Sequence, residues 1–344
     1  MTDVPGGLPE TITRYRRAIA RQMEDYVCRR DGPLHEMIRY HMGFEEGANS
    51  PGLQGKVLRP SLLLFTAEGF GVNWRKALPA AVSLELVHNF SLVHDDIQDD
   101  DYLRRGRKSV QAKWGAKQAI NAGDGIRDLS TLALVELADS TDPGLTLNAT
   151  EILGTYSLEM ISGQVRDLQF TDRAEITMED YLGMIDKKTC ALLKASLHLG
   201  GLYAGVDQET VKRLKAIGRY LGYVFQIRDD WLGIWGEQEQ FGKSVGSDLQ
   251  ERKRSFPVVY ALGRPSGEEL EKFEEIYFSD GDLSGGEIDR ARKLLEELGA
   301  REGTNDWAGR YWKQAKEELA KIDMKDWAKT DLRNFGKYLL TRQR

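Results

Sequence analysis

Residues 94–106 read HDDIQDDDYLRRG, five aspartates within seven positions followed almost at once by two arginines. On a helix each residue turns about 100°, so His88, Leu92, Asp95 and Asp99 fall on one stripe at i, i+4, i+7 and i+11, with Asp96 beside it. Like charges spaced i,i+4 cost roughly 0.2–0.5 kcal/mol per pair when exposed, and more where water is scarce. Such a face calls for a cation. Hard carboxylate oxygens suit a divalent ion, and Mg2+ in particular is usually held by one or two carboxylates together with substrate phosphates. The plainer alternative is a solvated acidic helix end neutralised by Arg104, Arg105, Arg107 and Lys108.

A second carboxylate pair follows in FQIRDDWLGIWG, residues 225–236, where Gln226 and Asp229 stand at i and i+3 with Asp230 alongside. Two facing helices with inward carboxylates form a metal site inside a bundle. Lys56 and Arg59 in QGKVLRP, Lys187, Lys188 and Thr189 in DKKTCALLKAS, and Lys243, Lys253 and Arg254 in GKSVGSDLQERKRSFP supply positive charge. Each alone reads as a solvated surface residue. Together with Arg104 and Arg105 they suit a ligand with two or more phosphates, because guanidinium forks match phosphate oxygens and lysines add point charge. Carboxylates, a divalent metal and basic residues around an apolar cavity imply a diphosphate with a greasy tail.

Other candidate sites fall away. GEQEQFGKS has five residues between its glycines where a phosphate-binding loop needs four, and no strand precedes it. DGDLSGGEIDRA begins like a calcium loop, but Ala291 stands where the bidentate glutamate belongs. His94 and His198 read as structural histidines, and Cys28 and Cys190 as reduced structural thiols.

The elements that must position these residues are helical. Apolar residues recur with a helical period almost throughout, and alternating strand-like runs are few. The pattern predicts helices over 9–30, 34–46, 57–69, 74–103, 125–140, 143–170, 178–205, 207–235, 248–262, 266–278, 286–299, 304–322 and 325–341. GFGVNW, NAGDG, STDPG and SDGDLSGG read as turns between them. Without a linker or short repeat, residues 1–344 are expected to form one all-α domain, with a weak change of character near 265. A net charge of −6 gives no reason to expect nucleic acid or an anionic membrane surface as partner. No signal core and no run near ~20 apolar residues is present, so a cytoplasmic protein without integral membrane association is expected.

The constellation resembles the trans-isoprenyl diphosphate synthase (polyprenyl synthetase) family, which carries two aspartate-rich motifs. DDIQDDDYLRRG matches the family's DDxxD followed by RRG without an insertion. GKVLRP at 55–60, LELVH at 84–88, SGQVRDL at 162–168, KKT at 187–189, FQIRDD at 225–230 and GKSVGSDL at 242–249 match in order. The resemblance implies a single-domain bundle of about 10–14 helices around a deep central cavity, a homodimer, and three Mg2+ per active site. It implies that Asp95, Asp96 and Asp99 hold metal from one wall and Asp229 from the other. Arg104, Lys188, Lys243 and Lys253 would bind the allylic diphosphate. Lys56, Arg59, His88 and Arg105 would bind isopentenyl diphosphate, with Thr189 and Gln226 beside the reacting carbons.

Phe90, five residues before Asp95, and Ser91 occupy the family's chain-length positions, and an aromatic there with an uninserted motif resembles makers of C20 geranylgeranyl diphosphate. On the wheel Phe90 lies about 140° from Asp95, so geometry alone does not place it in the tunnel. Other chain lengths, farnesyl among them, remain open, as do a class I terpene cyclase and a non-catalytic partner subunit. Two departures stand out. Gly233 occupies the place where many members have a third aspartate in the second motif, and Arg127 and Asp128 replace larger apolar residues, so they either face solvent or alter the cavity floor.

Overall fold

The computed structural model describes residues 9, 13–45, 52–53, 55–137, 142–170, 173, 175–236 and 246–342. Among them are sixteen α-helices and one two-stranded ribbon. In chain order the helices are α1 Arg16–Val27, α2 Pro33–Met42, α3 Leu58–Gly69, α4 Leu78–Gln98, α5 Val110–Trp114, α6 Ala116–Leu137, α7 Pro143–Phe170 and α8 Met178–Lys188. There follow α9 Cys190–Ala204, α10 Gln208–Trp235, α11 Ser247–Gln250, α12 Phe256–Leu262, α13 Glu268–Tyr277, α14 Gly285–Glu297, α15 Ala300–Ala320 and α16 Asp326–Thr341. No helix is long and apolar enough to cross a membrane among the described residues.

Helix α4 runs through the middle. Every residue from Ala80 to Val87 is buried, including Glu85, as expected of a helix packed on all sides. It packs against α3 and α6, and α9 in turn sits against α3, α7 and α10. The main core joins side chains from Tyr15 to Leu339. Two smaller apolar clusters lie under the C-terminal third, one around Phe273, Tyr277 and Leu294, the other around Tyr181 and Phe256.

The helix expected over 74–103 ends at Gln98, after a 3-10 turn at Trp74–Ala77. Successive carboxylates face the negative end of the helix dipole there, which disfavours continuation, and Asp100 takes a left-handed conformation at φ 52°. The chain then forms β1 Leu103–Arg104 and β2 Arg107–Lys108, with Arg104 opposite Arg107. Arg105 and Gly106 form the connection at φ 54° and 77°, the positive pair that a two-residue hairpin turn requires.

Other expectations are corrected in the same way. The helix predicted over 178–205 divides at Thr189 into α8 and α9, and that over 248–262 divides into α11 and α12. In the second case Arg252 is left-handed at φ 51°, and Pro257 opens a new helix whose N-cap, Ser255, is extended. NAGDG is helical: α6 starts at Ala116, and its Gly123 and Gly125 receive His94 and Leu34 from neighbouring helices. These divisions, with the unanticipated α5, raise the count from 10–14 to sixteen.

Candidate active site

A cavity of about 1320 Å³ opens between α7, α8, α10 and the segment from Asp248 to Ser255. Asp99, Asp101 and Asp167 line one side, Asp229, Asp230 and Asp248 the other, with Lys188, Thr189 and Gln226 between them.

Asp95 is not among the side chains that line the cavity; burial pushes its carboxyl up to about 6, against the pull of Lys188 and with the help of Asp99 and Asp167. Asp99 is also raised by burial. Asp96 behaves differently. It is 1% exposed, and its Oδ1 accepts from Nε of Arg104 at 2.8 Å and from Nη2 of the same guanidinium. The hairpin folds Arg104 back onto the end of α4, so this arginine is committed to Asp96, with Asp101 at 3.7 Å. Asp96, implied as a metal holder, and Arg104, implied as an allylic diphosphate binder, are thus paired with each other in this arrangement.

Arg105, on the other side of the turn, points elsewhere. It packs on Gly55, and burial depresses its guanidinium despite nearby Glu85. Nη1 of Arg105 and Nε of Arg59 are buried without a hydrogen-bond partner among the described residues. Nη1 of Arg59 lies 3.1 Å from Nε2 of His88. Lys56 is depressed by burial and by Arg342, against Asp229. Buried donors left unpaired cost about 1–3 kcal/mol each, or more when charged, so a cationic pocket of this kind is completed by an anion. Arg59 and Arg105 both bear on His88, and Lys56 and Arg59 both bear on Asp229, so the four basic side chains share one neighbourhood.

On the second wall Asp229 and Asp230 part company. Oδ1 of Asp229 accepts from Nη2 of Arg342 at 2.5 Å. Asp230 accepts from the Tyr181 hydroxyl, from the Phe256 amide at 2.6 Å and from Nε2 of Gln226 at 2.8 Å. Burial, then Asp248, pushes the Asp230 carboxyl up to about 7. Gln226 accepts in turn from the Thr189 hydroxyl at 2.7 Å. A continuous chain therefore orients Thr189 and Gln226 at the cavity surface.

Lys188 is bonded to Asp167, and Asp167, Asp95 and Asp99 together outweigh its burial and raise its pKa. Lys253 pairs with Glu251 at 2.6 Å and, more loosely, with Asp248 at 3.8 Å. Lys243 lies outside the described residues.

The donor set fits a hard divalent cation. Seven aspartates line the cavity, and burial raises Asp99, Asp229 and Asp230 among them. Among the described residues no three acidic, histidine or cysteine side chains gather closely enough to hold an ion unaided.

Phe90 and Ser91 do not line this cavity. Phe90 is buried edge-on to His94, with ring centres 5.8 Å apart, and Ser91 donates to the carbonyl of His88 at 2.8 Å. Arg127 is held by Thr131 and Asp128 is exposed, so neither forms the cavity's floor.

Sequence reasoning missed Asp167, Tyr181, Asp248 and Arg342. Asp167 and Asp248 stand inside SGQVRDL and GKSVGSDL, two stretches singled out as matches without weighing their acidic residues. Tyr181 and Arg342 had no local signal.

Comparison with known proteins places this geometry among relatives. A family model described as Polyprenyl synthetase matches residues 47–295. A (2E,6E)-farnesyl diphosphate synthase from Mycobacterium bovis is 36% identical over 327 residues, covering 94% of this chain and 89% of the relative. A geranylgeranyl diphosphate synthase from Methanosarcina mazei is 36% identical over 292 residues, covering 84% and 86%. The solved structure of a polyprenyl synthetase from Streptomyces coelicolor A3(2) superposes with a TM-score of 0.88 at 34% identity, covering 97% of this chain and 99% of that one.

Proposed function

The chain belongs to the polyprenyl synthetase family, whose trans-prenyl diphosphate synthases elongate chains, and we propose that its own product is C20 geranylgeranyl diphosphate. The observation that carries the reaction is the cavity itself: two acidic walls face each other across Lys188, Thr189 and Gln226, and Arg59, whose buried Nε has no partner among the described residues, bears on Asp229.

In this reading Asp95, Asp99 and Asp229 hold Mg2+, which when bound neutralises charge on the departing diphosphate. Lys188 and Lys253, with Lys243, hold the allylic diphosphate, so that negative charge developing on the leaving oxygen meets fixed cations and the allylic C–O bond ionises. Arg59, Arg105, Lys56 and neutral His88 fix the second diphosphate and aim the alkene of isopentenyl diphosphate at the carbocation. Oriented dipoles of Thr189 and Gln226 border that cation. The alkene forms the new C–C bond, and the proton lost passes to the released diphosphate, so no protein base is required. Apolar side chains such as Met184, Ile185 and Leu168 keep water from the cation. Asp96 serves as the buried anchor of Arg104.

The C20 reading rests on the resemblance of Phe90, five residues before Asp95 in an uninserted first motif, to makers of C20 chains, and not on a contact with the cavity. A second reading, a C15 product, is favoured by the farnesyl diphosphate synthase relative that covers 94% of this chain. We also assign the active form as a cytoplasmic homodimer, with the exposed stripe of Leu147, Leu158, Ile161 and Val165 on α7 as the contact. The deciding experiment incubates the protein with Mg2+, labelled isopentenyl diphosphate and C5, C10 or C15 allylic diphosphate. A C20 product supports the proposal, arrest at C15 supports the second reading, and no extension from any starter removes both. Asp95→Ala and Asp229→Ala are each expected to slow extension by orders of magnitude, and near-normal rates in both would remove the metal assignment.

A further inference from the structure

Gly52, Gly55 and Val57, in the segment that leads into α3, have positive φ, at 68°, 84° and 50°. Glycine adopts that region freely. Val57 does not, because its branched Cβ crowds the neighbouring carbonyl. Its side chain is buried, and its carbonyl accepts from the amide of Ser61 at 3.2 Å, the first turn of α3. Val57 follows Lys56 and precedes the helix that carries Arg59, so its conformation sets how those two basic residues stand to each other. Strained backbone of this kind persists only where surrounding structure holds it, and it clusters at ligand sites. Arg16, the first residue of α1, provides such a hold. Its Nη1 donates to the Gly55 carbonyl and its Nη2 to the Leu53 carbonyl at 2.6 Å. The guanidinium of Arg105 packs on the same Gly55, and Arg16, Arg59 and Arg105 all bear on the buried Glu85.

We propose that Arg16 is a positioning residue for the second diphosphate: by gripping the Leu53 and Gly55 carbonyls from α1, it holds Lys56 and Arg59 where they and Arg105 converge on one anion. This rests on the synthase reading above and deepens it, by naming what aims the isopentenyl diphosphate site. Like charges on Lys56, Arg59 and Arg105 repel one another while no anion is bound, so the backbone beneath them must be fixed beforehand. A guanidinium suits that task, since two donors in a rigid fork set direction as well as distance. Arg16 acts through the backbone and not on the diphosphate itself.

The test compares wild type, Arg16→Ala, Arg16→Lys and Arg14→Ala in steady-state kinetics with Mg2+, isopentenyl diphosphate and an allylic diphosphate. Arg14 is the control for the docking of this end of the chain, because its guanidinium bonds Glu68 and Tyr15 rather than the loop. Arg16→Ala is expected to raise the KM for isopentenyl diphosphate about 10–100-fold, the loss that a small misplacement brings. The KM for the allylic diphosphate and kcat at saturation should stay near wild type. Arg16→Lys, which can still reach one carbonyl, should fall between, and it carries the comparison if Arg16→Ala does not fold. Arg14→Ala should lower the melting temperature and leave both KM values near wild type. Metal-free calorimetry with inorganic diphosphate should show the Arg16→Ala defect without turnover. A wild-type KM for isopentenyl diphosphate in folded Arg16 variants, an equal rise in Arg14→Ala, or a parallel rise in both KM values would overturn the inference. So would a crystal structure with inorganic diphosphate in which Arg16 binds the phosphate oxygens instead of the two carbonyls. A wild type that extends no chain, yet binds inorganic diphosphate more tightly than Arg16→Ala, removes the synthase reading and leaves the role of Arg16 standing.

Discussion

Nη1 of Arg59 donates to Nε2 of His88 across 3.1 Å. A guanidinium has only donors, so the imidazole must accept and is neutral. Burial first, then Arg59 and Arg105, holds the His88 pKa well below its ordinary value. His41 is brought down to about 3, by burial and then by Arg105 and Arg104. Above about pH 6.5 neither the folded nor the unfolded chain protonates these rings. As pH falls below that point the unfolded chain takes up protons that the native one refuses, so stability declines toward the depressed folded values. His88→Gln, which keeps an acceptor for Arg59, should flatten the fall in melting temperature between pH 7 and 4. Identical slopes in wild type and variant would count against a neutral buried His88.

Arg342 engages Asp229 from 113 positions along the chain, with Nη2 also 3.0 Å from the Phe225 carbonyl. This guanidinium and a divalent cation contend for the same carboxylate. Arg342→Gln should lower the metal-free stability by on the order of 1 kcal/mol, read as a lower melting temperature, since the charge-assisted bond is lost at a carboxylate about one-third exposed. It should also reduce the Mg2+ concentration that gives half-maximal thermal stabilisation. An unchanged melting temperature together with a higher Mg2+ requirement would show that Arg342 helps to hold the metal site rather than competing with it.

The Tyr181 hydroxyl, fully buried, is one of three donors to Asp230. Tyr181→Phe keeps the ring and removes that donor, at a cost of about 1.5–3 kcal/mol for a hydrogen bond to a charged group. Asp230, already raised to about 7, should rise further. A protonated Asp230 is a poorer acceptor for Gln226, so the acid limb of the extension rate should move to higher pH. Calorimetry and a pH–rate profile would check both halves. A stable variant with an unmoved profile would confine Tyr181 to packing.

Much of this was legible locally. The period predicted α7 at its observed bounds, and placed Gln226 and Asp229 on one face of α10. What the period left out was decided by short-range backbone chemistry or by distance along the chain. The turn at Arg105–Gly106 needs two positive φ values, and it sends two adjacent arginines in opposite directions, taking Arg104 to Asp96. A helical wheel, which keeps residues 95 to 105 on one cylinder, has no means of expressing that. Tyr181 meets Asp230 across 49 residues and Arg342 meets Asp229 across 113, and nothing in the local pattern encodes either meeting.

The break between α8 and α9 makes the last prediction, because it sets where Lys188 and Thr189 stand. Gly163 on α7 lies against that break: a Cβ there would come within 2.6 Å of the Lys188 Cα and nearer still to its amide nitrogen. Backbone atoms cannot swing aside as a flexible side chain can, so Gly163→Ala must push α7 and α8 apart. Overpacking of this kind costs about 1–3 kcal/mol. The larger consequence is positional, since Lys188 pairs with Asp167 on the helix that would move and Thr189 bonds Gln226 on a helix that would not. Gly163→Ala should therefore lower kcat for chain extension well beyond its loss of stability, while the KM for isopentenyl diphosphate, set in the pocket of Arg59 and Arg105, stays near the wild-type value. If kcat were preserved in a folded variant, the close approach of α7 to the break would be packing alone.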